Sequence, residues 1–241
     1  MIKRRLNGSL LRLILRESQC FTHLLKSTNR HLSEDLLSQG VHHLIQPKAR
    51  LQASYLKDTR DFINFIERIK LSKSAIPVSM DVTSLYTNIP QREGITTVCH
   101  AYEEFHQGNP PVPTRFLSEM LSLILLENSF QFNEKDYLQT HGTAMGTKMA
   151  VAFANIFMDK IEKEILRQSS IKLIFWKRFT DDVKSVWDTS RNEIGEFLLK
   201  ANNFHPTLIK FTAEISETEA TFLDTKVYKG VRFNKDSILD V

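Results

Sequence analysis

The sequence predicts an α+β fold in which helices pack on one face of a largely antiparallel sheet. Two observations support this class. Segments with helical periodicity and segments with strand-like alternation are interspersed along the 241 residues, without a regular strand–helix–strand repeat. The hydrophobic fraction of 41% is that of an ordinary globular chain and suffices for one large domain or two small ones.

The first half of the chain is mainly helical in this prediction. Residues 56–71 place apolar side chains on one face at 3.6-residue spacing, which indicates an amphipathic helix. Residues 77–82 alternate apolar and small side chains and predict a strand. Helices are predicted over residues 92–105 and, after a Pro-rich breaker, from an N-cap at Thr114 to about residue 128.

The second half mixes both kinds of element. A hairpin is predicted around the polar tip at residues 134–136, and a glycine-bracketed segment leads into a long helix over residues 148–168. Two short apolar runs then flank an Arg-Phe-Thr-Asp-Asp segment that ends at Asp182. The remaining predicted elements are a helix over residues 191–203 and strands over residues 207–215, 221–228 and 231–233.

Composition excludes several classes of protein. The two cysteines, Cys20 and Cys99, cannot build a disulfide framework or a thiolate zinc site. No apolar run is long enough for a membrane span, so we expect an intracellular protein, nuclear or cytoplasmic, without membrane association. Within residues 1–16, basic residues and leucines fit a transit segment loosely. A basic arm or the start of an ordinary helix is the favoured interpretation.

The charge is distributed unevenly. The net charge is +4, yet residues 1–50 hold nine basic and three acidic residues, while the rest of the chain holds 23 basic and 25 acidic ones. We therefore divide the chain into a basic, partly helical N-terminal segment, residues 1–40, and a domain over residues 41–241. A basic segment of this kind either binds phosphate backbones or completes a helical core.

Three aspartates stand out by their setting. Asp81 follows an apolar strand, and Asp181 and Asp182 lie between two short apolar runs, where a tight turn would present them. If the two strands are neighbours in one sheet, Asp81 and Asp181 converge, and such acids can hold two Mg²⁺ ions ~3.5–4 Å apart for phosphoryl transfer. Ordinary turn chemistry for the Asp-Asp pair and helix capping by Asp81 are the alternatives.

Several segments, taken together, resemble the reverse transcriptase of Penelope-like retroelements. They occur in that family's order and spacing and carry the resemblance from about residue 40 to the end of the chain. The segments are residues 54–59, 79–90, 142–147, 154–158, 178–182 and 221–228. The resemblance implies a right-hand polymerase palm with partial fingers, which adds dNTPs to a DNA primer on an RNA template.

The resemblance also implies roles for single residues. Asp81, Asp181 and Asp182 would be the catalytic acids, and Asp81, Asp181 and the Val82 carbonyl would hold two Mg²⁺ ions, with Mn²⁺ as the alternative. Tyr86 matches the position of a bulky ring that excludes a ribose 2′-hydroxyl. Packing after the strand is the alternative, but the spacing of five residues from Asp81 favours the excluding ring.

Further residues match nucleotide-binding positions of the family. Gly142, Met145 and Gly146 would let the backbone approach the incoming nucleotide. Lys210 lies where the family often has a lysine near the triphosphate, although a solvated strand residue is the favoured alternative. Residues 222–224 match the start of the primer grip, where core packing and a structural acid are the simpler roles.

Departures from the family pattern leave a second function open. Basic fingers motifs are not found in residues 1–39, Lys184 stands where the family has apolar residues, and a thumb and a GIY-YIG endonuclease are not expected within 241 residues. We therefore expect either a reverse transcriptase domain or a truncated, host-retained copy. Such a copy would not polymerise and would act as a nucleic-acid-binding or interaction module.

Overall fold

The computed structural model describes residues 30–205 and 209–241. The predicted transit or arm segment at residues 1–16 lies outside these residues, as does the beginning of the strand predicted from residue 207. The chain divides into two compact units. Of the described residues, the first unit comprises 30–49 together with 89–157, and the second comprises 50–88 together with 158–205 and 209–241.

The helices and strands follow the predicted order closely. The helices are α1 (Arg30–Arg50), α2 (Thr59–Ile66), α3 (Leu85–Asn88), α4 (Gln91–Phe105), α5 (Thr114–Leu126), α6 (Ala150–Arg167), α7 (Arg191–Phe204) and α8 (Val231–Asp236). The strands are β1 (Ile76–Val82), β2 (Ser129–Phe132), β3 (Lys135–Leu138), β4 (Leu173–Phe179), β5 (Asp182–Trp187), β6 (Phe211–Ile215), β7 (Glu219–Phe222) and β8 (Thr225–Tyr228). Among the described residues, no helix is long and apolar enough to cross a membrane.

The first unit is built on helices with closely packed apolar faces. Val41 of α1, Val98 of α4 and Leu121 of α5 are completely buried. Gly94 of α4 lies directly against Phe153, since a Cβ atom at this position would come within 2.4 Å of the ring. Helix α1 thus contributes to the core of this unit.

A short hairpin, β2–β3, belongs to the same unit. Its two turn residues, Asn133 and Glu134, have positive φ angles of 49° and 61°, as in the two-residue turns that match strand twist. Phe130 and Tyr137 face each other across the strands with stacked rings 5.6 Å apart. The predicted hairpin is confirmed, with each strand displaced by one or two residues.

The second unit contains a four-stranded sheet with the order β4–β5–β1–β6, and all its strand pairs are antiparallel. One face packs against α7, where Phe197 contacts Trp176 and Trp187 with ring centroids 6.2 and 4.8 Å apart. On the opposite face, the ring of Phe175 contacts the ring of Phe65, a partly buried residue of α2. The predicted α+β class with an antiparallel sheet is confirmed.

Three local predictions are wrong in instructive ways. Residues 231–233 form the first turn of α8, not a strand, because the Asp240 carboxylate accepts hydrogen bonds from the amides of Gly230, Arg232 and Phe233. Thr114 is the first residue of α5 and not its N-cap. Pro113 precedes it, and the Thr114 hydroxyl donates to Glu103 instead.

The strand predicted over residues 221–228 is a hairpin of two strands, β7 and β8. A two-residue turn separates them, and its first residue, Leu223, has a positive φ of 51°. The alternation of the sequence hides this turn because neither glycine nor proline marks it.

Candidate active site

The three aspartates meet at one end of the central strand pair. Asp81 on β1 lies directly opposite Asp182 on β5, and the Val82 amide donates to the Asp181 carbonyl at 3.0 Å. The pattern of β1 explains this placement. Val78, Met80 and Val82 are buried on one face, so Ser79 and Asp81 point to the other. The two strands are therefore neighbours in one sheet, which is the condition under which the sequence predicted that Asp81 and Asp181 converge.

The turn between β4 and β5 presents Asp181. It has two residues, Thr180 and Asp181, because Phe179 pairs with Asp182 across it. Thr180 has a φ of 58°, a left-handed conformation that a β-branched residue rarely adopts. Surrounding contacts must therefore hold this turn in place.

The electrostatics show that the aspartates interact. Burial raises the pKa of Asp81, and the negative charge of Asp181 raises it further. Burial also raises the pKa of Asp182, with further contributions from Asp181 and Asp81. Like charges at this spacing repel, and a bound cation would relieve that repulsion.

Tyr86 lies beside this group. It belongs to the short helix α3, which follows β1 directly, and its side chain is half-buried. Burial and the charge of Asp181 raise the pKa of its phenol, while Arg178 lowers it. Tyr86 therefore lies within electrostatic range of Asp181 and Arg178.

A cleft of about 410 Å³ opens in front of the acids. Asp81 and Asp182 line one part of it, and Phe222 and Leu223 from the β7–β8 hairpin line another. The remaining lining comes from neighbouring positions of β1, β6 and β7: Ser79, Met80, Thr212, Ala213, Glu214 and Thr221. Asp81 and Asp182 thus face an open space, lined by both polar and apolar groups, of the size that ligand sites have.

Lys184, which departs from the family pattern, is completely buried on this side of the sheet. Its ammonium donates to the Ser79 hydroxyl at 2.9 Å, and that hydroxyl donates to the Thr221 carbonyl of β7. Desolvation lowers the pKa of Lys184 to about 7, although the charge of Glu214 on β6 opposes the shift. The lysine therefore links the sheet to the hairpin and does not disrupt the strand pairing.

Lys210 lies next to the site through its backbone only. Its carbonyl accepts from the Thr83 amide at 2.9 Å, just after β1. Its ammonium donates to the Asn202 carbonyl near the end of α7. The half-buried side chain is thus engaged by the C-terminal part of α7.

The glycine-bracketed loop belongs to the first unit and is described separately. Gly142 and Gly146 have positive φ angles of 69° and 95°, which explains why glycine occurs at both positions. Met145 between them is 72% exposed. Buried Gln91 fixes the start of the loop by donating to the Gly142 carbonyl at 3.0 Å and to the Leu125 carbonyl at 2.8 Å.

The structure thus brings together Asp81, Val82, Tyr86, Asp181 and Asp182 within the second unit. Sequence analysis missed the supporting residues. Gln91 gave no signal, because a glutamine in the first turn of a helix is unremarkable. Arg178 lies inside a recognised segment, but its partner Glu162 is one of three acidic residues in α6, and no sequence pattern distinguishes it from the other two.

A ready-made metal cage is not part of this arrangement. Within residues 30–205 and 209–241, no three His, Cys, Asp or Glu side chains form a group able to hold a metal ion by themselves. Mg²⁺ commonly uses one or two protein carboxylates and completes its shell with water and substrate phosphates. The carboxylates and carbonyls at the end of β1 are oxygen donors of the kind that Mg²⁺ prefers.

This sheet, with paired acids beside an open cleft, is a polymerase palm-like fold. The model of the family "Reverse transcriptase (RNA-dependent DNA polymerase)" matches residues 6–223. The chain therefore belongs to the reverse transcriptase family. The match begins at residue 6 and so includes most of the basic N-terminal segment.

Solved structures of polymerases share the fold at low sequence identity. Truncated apo telomerase from Candida tropicalis superposes with a TM-score of 0.56 and 9% identity, over 90% of this chain and 47% of that one. Telomerase from Candida albicans, in complex with a fragment of telomeric RNA, has a TM-score of 0.56, 11% identity and coverages of 81% and 37%. No curated protein sequence matches the chain.

A viral enzyme shows the same likeness. The RNA-dependent RNA polymerase of a human picobirnavirus has a TM-score of 0.57 and 12% identity, over 86% of this chain and 39% of that one. The chain thus spans less than half of each of these polymerases.

Proposed function

We propose that the chain is an RNA-directed DNA polymerase domain that adds dNTPs to the 3′-hydroxyl of a DNA primer on an RNA template. The observation that carries the proposal is the opposition of Asp81 and Asp182 across β1 and β5, with Asp181 in the adjoining turn. Membership of the reverse transcriptase family supports the reaction type. The open cleft supports access for a large substrate.

The acids fit a divalent cation on chemical grounds. Burial and, to a smaller extent, mutual repulsion raise the pKa values of Asp81 and Asp182, and a bound cation would relieve that repulsion. Asp81, Asp181 and the Val82 carbonyl would hold two Mg²⁺ ions, with Mn²⁺ as a substitute. When bound, the ions would lower the charge on the phosphates and the pKa of the primer hydroxyl.

The residues of the chain position the reactants around these acids. Asp81, on β1, and Asp181, in the turn between β4 and β5, would approach the reacting end of the substrates from two sides and hold it in one orientation. Tyr86 would limit the space beside the sugar of the incoming nucleotide and disfavour a 2′-hydroxyl. The loop with Gly142, Met145 and Gly146 would approach the nucleotide through its backbone.

We further propose that the chain derives from the Penelope-like group of retroelements. The support is the set of segments that resemble that group, in particular residues 79–90 and 178–182, which occur together in that group's order. The RNA template, DNA primer and dNTP are the partners that this assignment requires.

Primer extension on a defined RNA template tests the proposal. The purified chain should extend an annealed DNA primer, with Mg²⁺ present, by the nucleotides that the template specifies. If no template-directed product forms with either Mg²⁺ or Mn²⁺, the proposal is wrong. A non-catalytic copy that binds nucleic acid would then be the better description.

A further inference from the structure

A buried ion pair lies next to the two-residue turn that Thr180 and Asp181 form between β4 and β5. Arg178 on β4 and Glu162 on α6 are both almost fully buried, and the Arg178 Nε donates to Glu162 Oε1 at 2.7 Å. Two further groups donate to the same carboxylate, the Trp176 indole and the Ser54 hydroxyl, each at 2.7 Å. Glu162 is thus held from three directions and has little freedom to move.

The other side of the arginine reaches the turn. A terminal nitrogen of Arg178 donates to the Thr180 carbonyl at 2.9 Å. Thr180 has the left-handed φ of 58° and directly precedes Asp181, whose own carbonyl accepts from the Val82 amide at 3.0 Å. A continuous set of contacts therefore runs from Glu162 through Arg178 to the residue that presents Asp181.

The backbone of Arg178 is fixed as well. Its amide donates to the Ser54 carbonyl at 2.6 Å, and its carbonyl accepts from the Leu56 amide at 2.9 Å. These bonds attach the outer edge of β4 to the segment at residues 54–59, which the sequence analysis singled out without a role. Ser54 therefore supports the arginine through its backbone and the glutamate through its hydroxyl.

Stability alone is a weak explanation for this pair. Apolar residues of similar volume are often as stabilising as a buried ion pair, so its presence calls for another reason. A non-glycine residue in a left-handed turn persists only when its surroundings hold it there. The planar guanidinium can serve both needs, because it donates to a carboxylate and to a carbonyl at fixed relative angles.

We infer that Glu162 and Arg178 are positioning residues that hold the Thr180–Asp181 turn in the conformation that presents Asp181. The inference rests on the proposed function for its catalytic consequence. Its structural consequence, the rigidity of the turn, is independent of any activity.

Amide hydrogen exchange tests the structural consequence. The probe is the Val82 amide, because its acceptor is the carbonyl of Asp181. In Arg178→Lys, a point charge cannot reach both partners of the guanidinium, and in Glu162→Gln the arginine loses its charged acceptor. Asp159→Asn, on the same helix, is the matched control, because it removes a carboxylate whose ion pair is with the more exposed Lys163 and not with the turn.

The expected result is selective. Exchange at Val82 should accelerate about tenfold in Glu162→Gln and Arg178→Lys relative to interior amides of β5, and should stay at the wild-type rate in Asp159→Asn. The double variant should lose no more protection than the stronger single one, because both act through the same contacts. Glu162→Gln is the milder change and keeps an acceptor for the Trp176 indole.

Two results would overturn the inference. One is that Val82 keeps its wild-type protection in both variants. The other is that all core amides lose protection together, which would mean that the pair contributes only to global stability.

Kinetics separate this inference from the proposed function. If the wild type extends primers, Glu162→Gln should lower kcat while the KM values for dNTP and primer stay unchanged, because binding surfaces are untouched. The wild type could extend no primer while exchange at the Val82 amide is still faster in Glu162→Gln and Arg178→Lys than in the wild type. In that case the proposed function fails and the positioning role stands. Normal kcat in both variants would contradict a catalytic consequence.

Discussion

Lys184 allows a quantitative test of the sheet that carries the site. Its ammonium is buried beside Ser79. Lys177 of β4 is its strand partner on one side, and Glu214 of β6 pairs with Ser79 on the other side. Burial lowers the pKa of Lys184 from 10.5 to about 7, so the folded protein binds this proton less tightly than the unfolded chain does. A protonated Lys184 therefore destabilises the fold, and stability should rise as the pH rises above 7.

The magnitude follows from the two pKa values. The difference corresponds to a penalty of about 5 kcal/mol at pH 6, where Lys184 is charged in both states, and of about 1 kcal/mol at pH 10. Lys184→Met fills a similar volume and cannot ionise. The wild type should therefore gain about 4 kcal/mol relative to Lys184→Met between pH 6 and pH 10.

Urea denaturation of both proteins at pH 6, 8 and 10 provides the measurement. We expect Lys184→Met to be the more stable protein at pH 6, with an advantage that shrinks as the pH rises. If the difference in stability between the two proteins stays constant over this range, Lys184 has the same pKa in the folded and unfolded states and the prediction is wrong. Ser79→Ala, which removes the hydroxyl partner, is the control for the lost hydrogen bond.

Three further predictions concern other parts of the chain. Tyr86→Val should raise incorporation of ribonucleotides relative to deoxyribonucleotides by about ten- to a hundredfold, and an unchanged ratio in single-nucleotide assays would exclude Tyr86 as the selecting ring. Gly94→Ala should cost about 1–3 kcal/mol in thermal unfolding, because the new Cβ would overlap the Phe153 ring, and a neutral effect would contradict this packing. Replacing Lys3, Arg4 and Arg5 by Gln should reduce the salt dependence of binding to single-stranded RNA by up to about two in log–log slope, whereas an unchanged slope would show that this segment does not contact phosphates.

Much of the fold could be predicted because local patterns agree with tertiary contacts. The alternation at residues 77–82 reflects a strand with one buried face, and the two apolar runs around Asp181 pair as a hairpin. Periodicity located α4, α6 and α7 to within about two residues of their observed ends.

The failures arise where a distant residue decides local structure. Helix α8 depends on Asp240, which follows it in the chain and caps its first turn through a tertiary contact. The burial of Lys184 depends on Ser79 of another strand, so a lysine at this position looks like a defect in the sequence alone. Hydrophobic patterns carry no information on such polar contacts between separate elements.

The site was predictable to the same extent. The acids could be identified because each lies in a short segment whose motif and apolar pattern are visible in the sequence. The pairing of Glu162 with Arg178 joins a helix to a strand 16 residues later, and no spacing rule connects them. The supporting residues of a site are therefore harder to find than the residues they support.

In the proposed reaction, Asp81 and Asp181 carry nucleotidyl transfer. The most direct measurement is the rate of single-nucleotide addition to an RNA-templated primer by the wild type, Asp181→Asn and the control Asp136→Asn, an exposed residue of the β2–β3 hairpin. We predict that Asp181→Asn lowers the rate at least about a hundredfold while primer–template binding stays intact, and that Asp136→Asn is unchanged. Equal rates for the wild type and Asp181→Asn would show that Asp181 does not take part in nucleotidyl transfer.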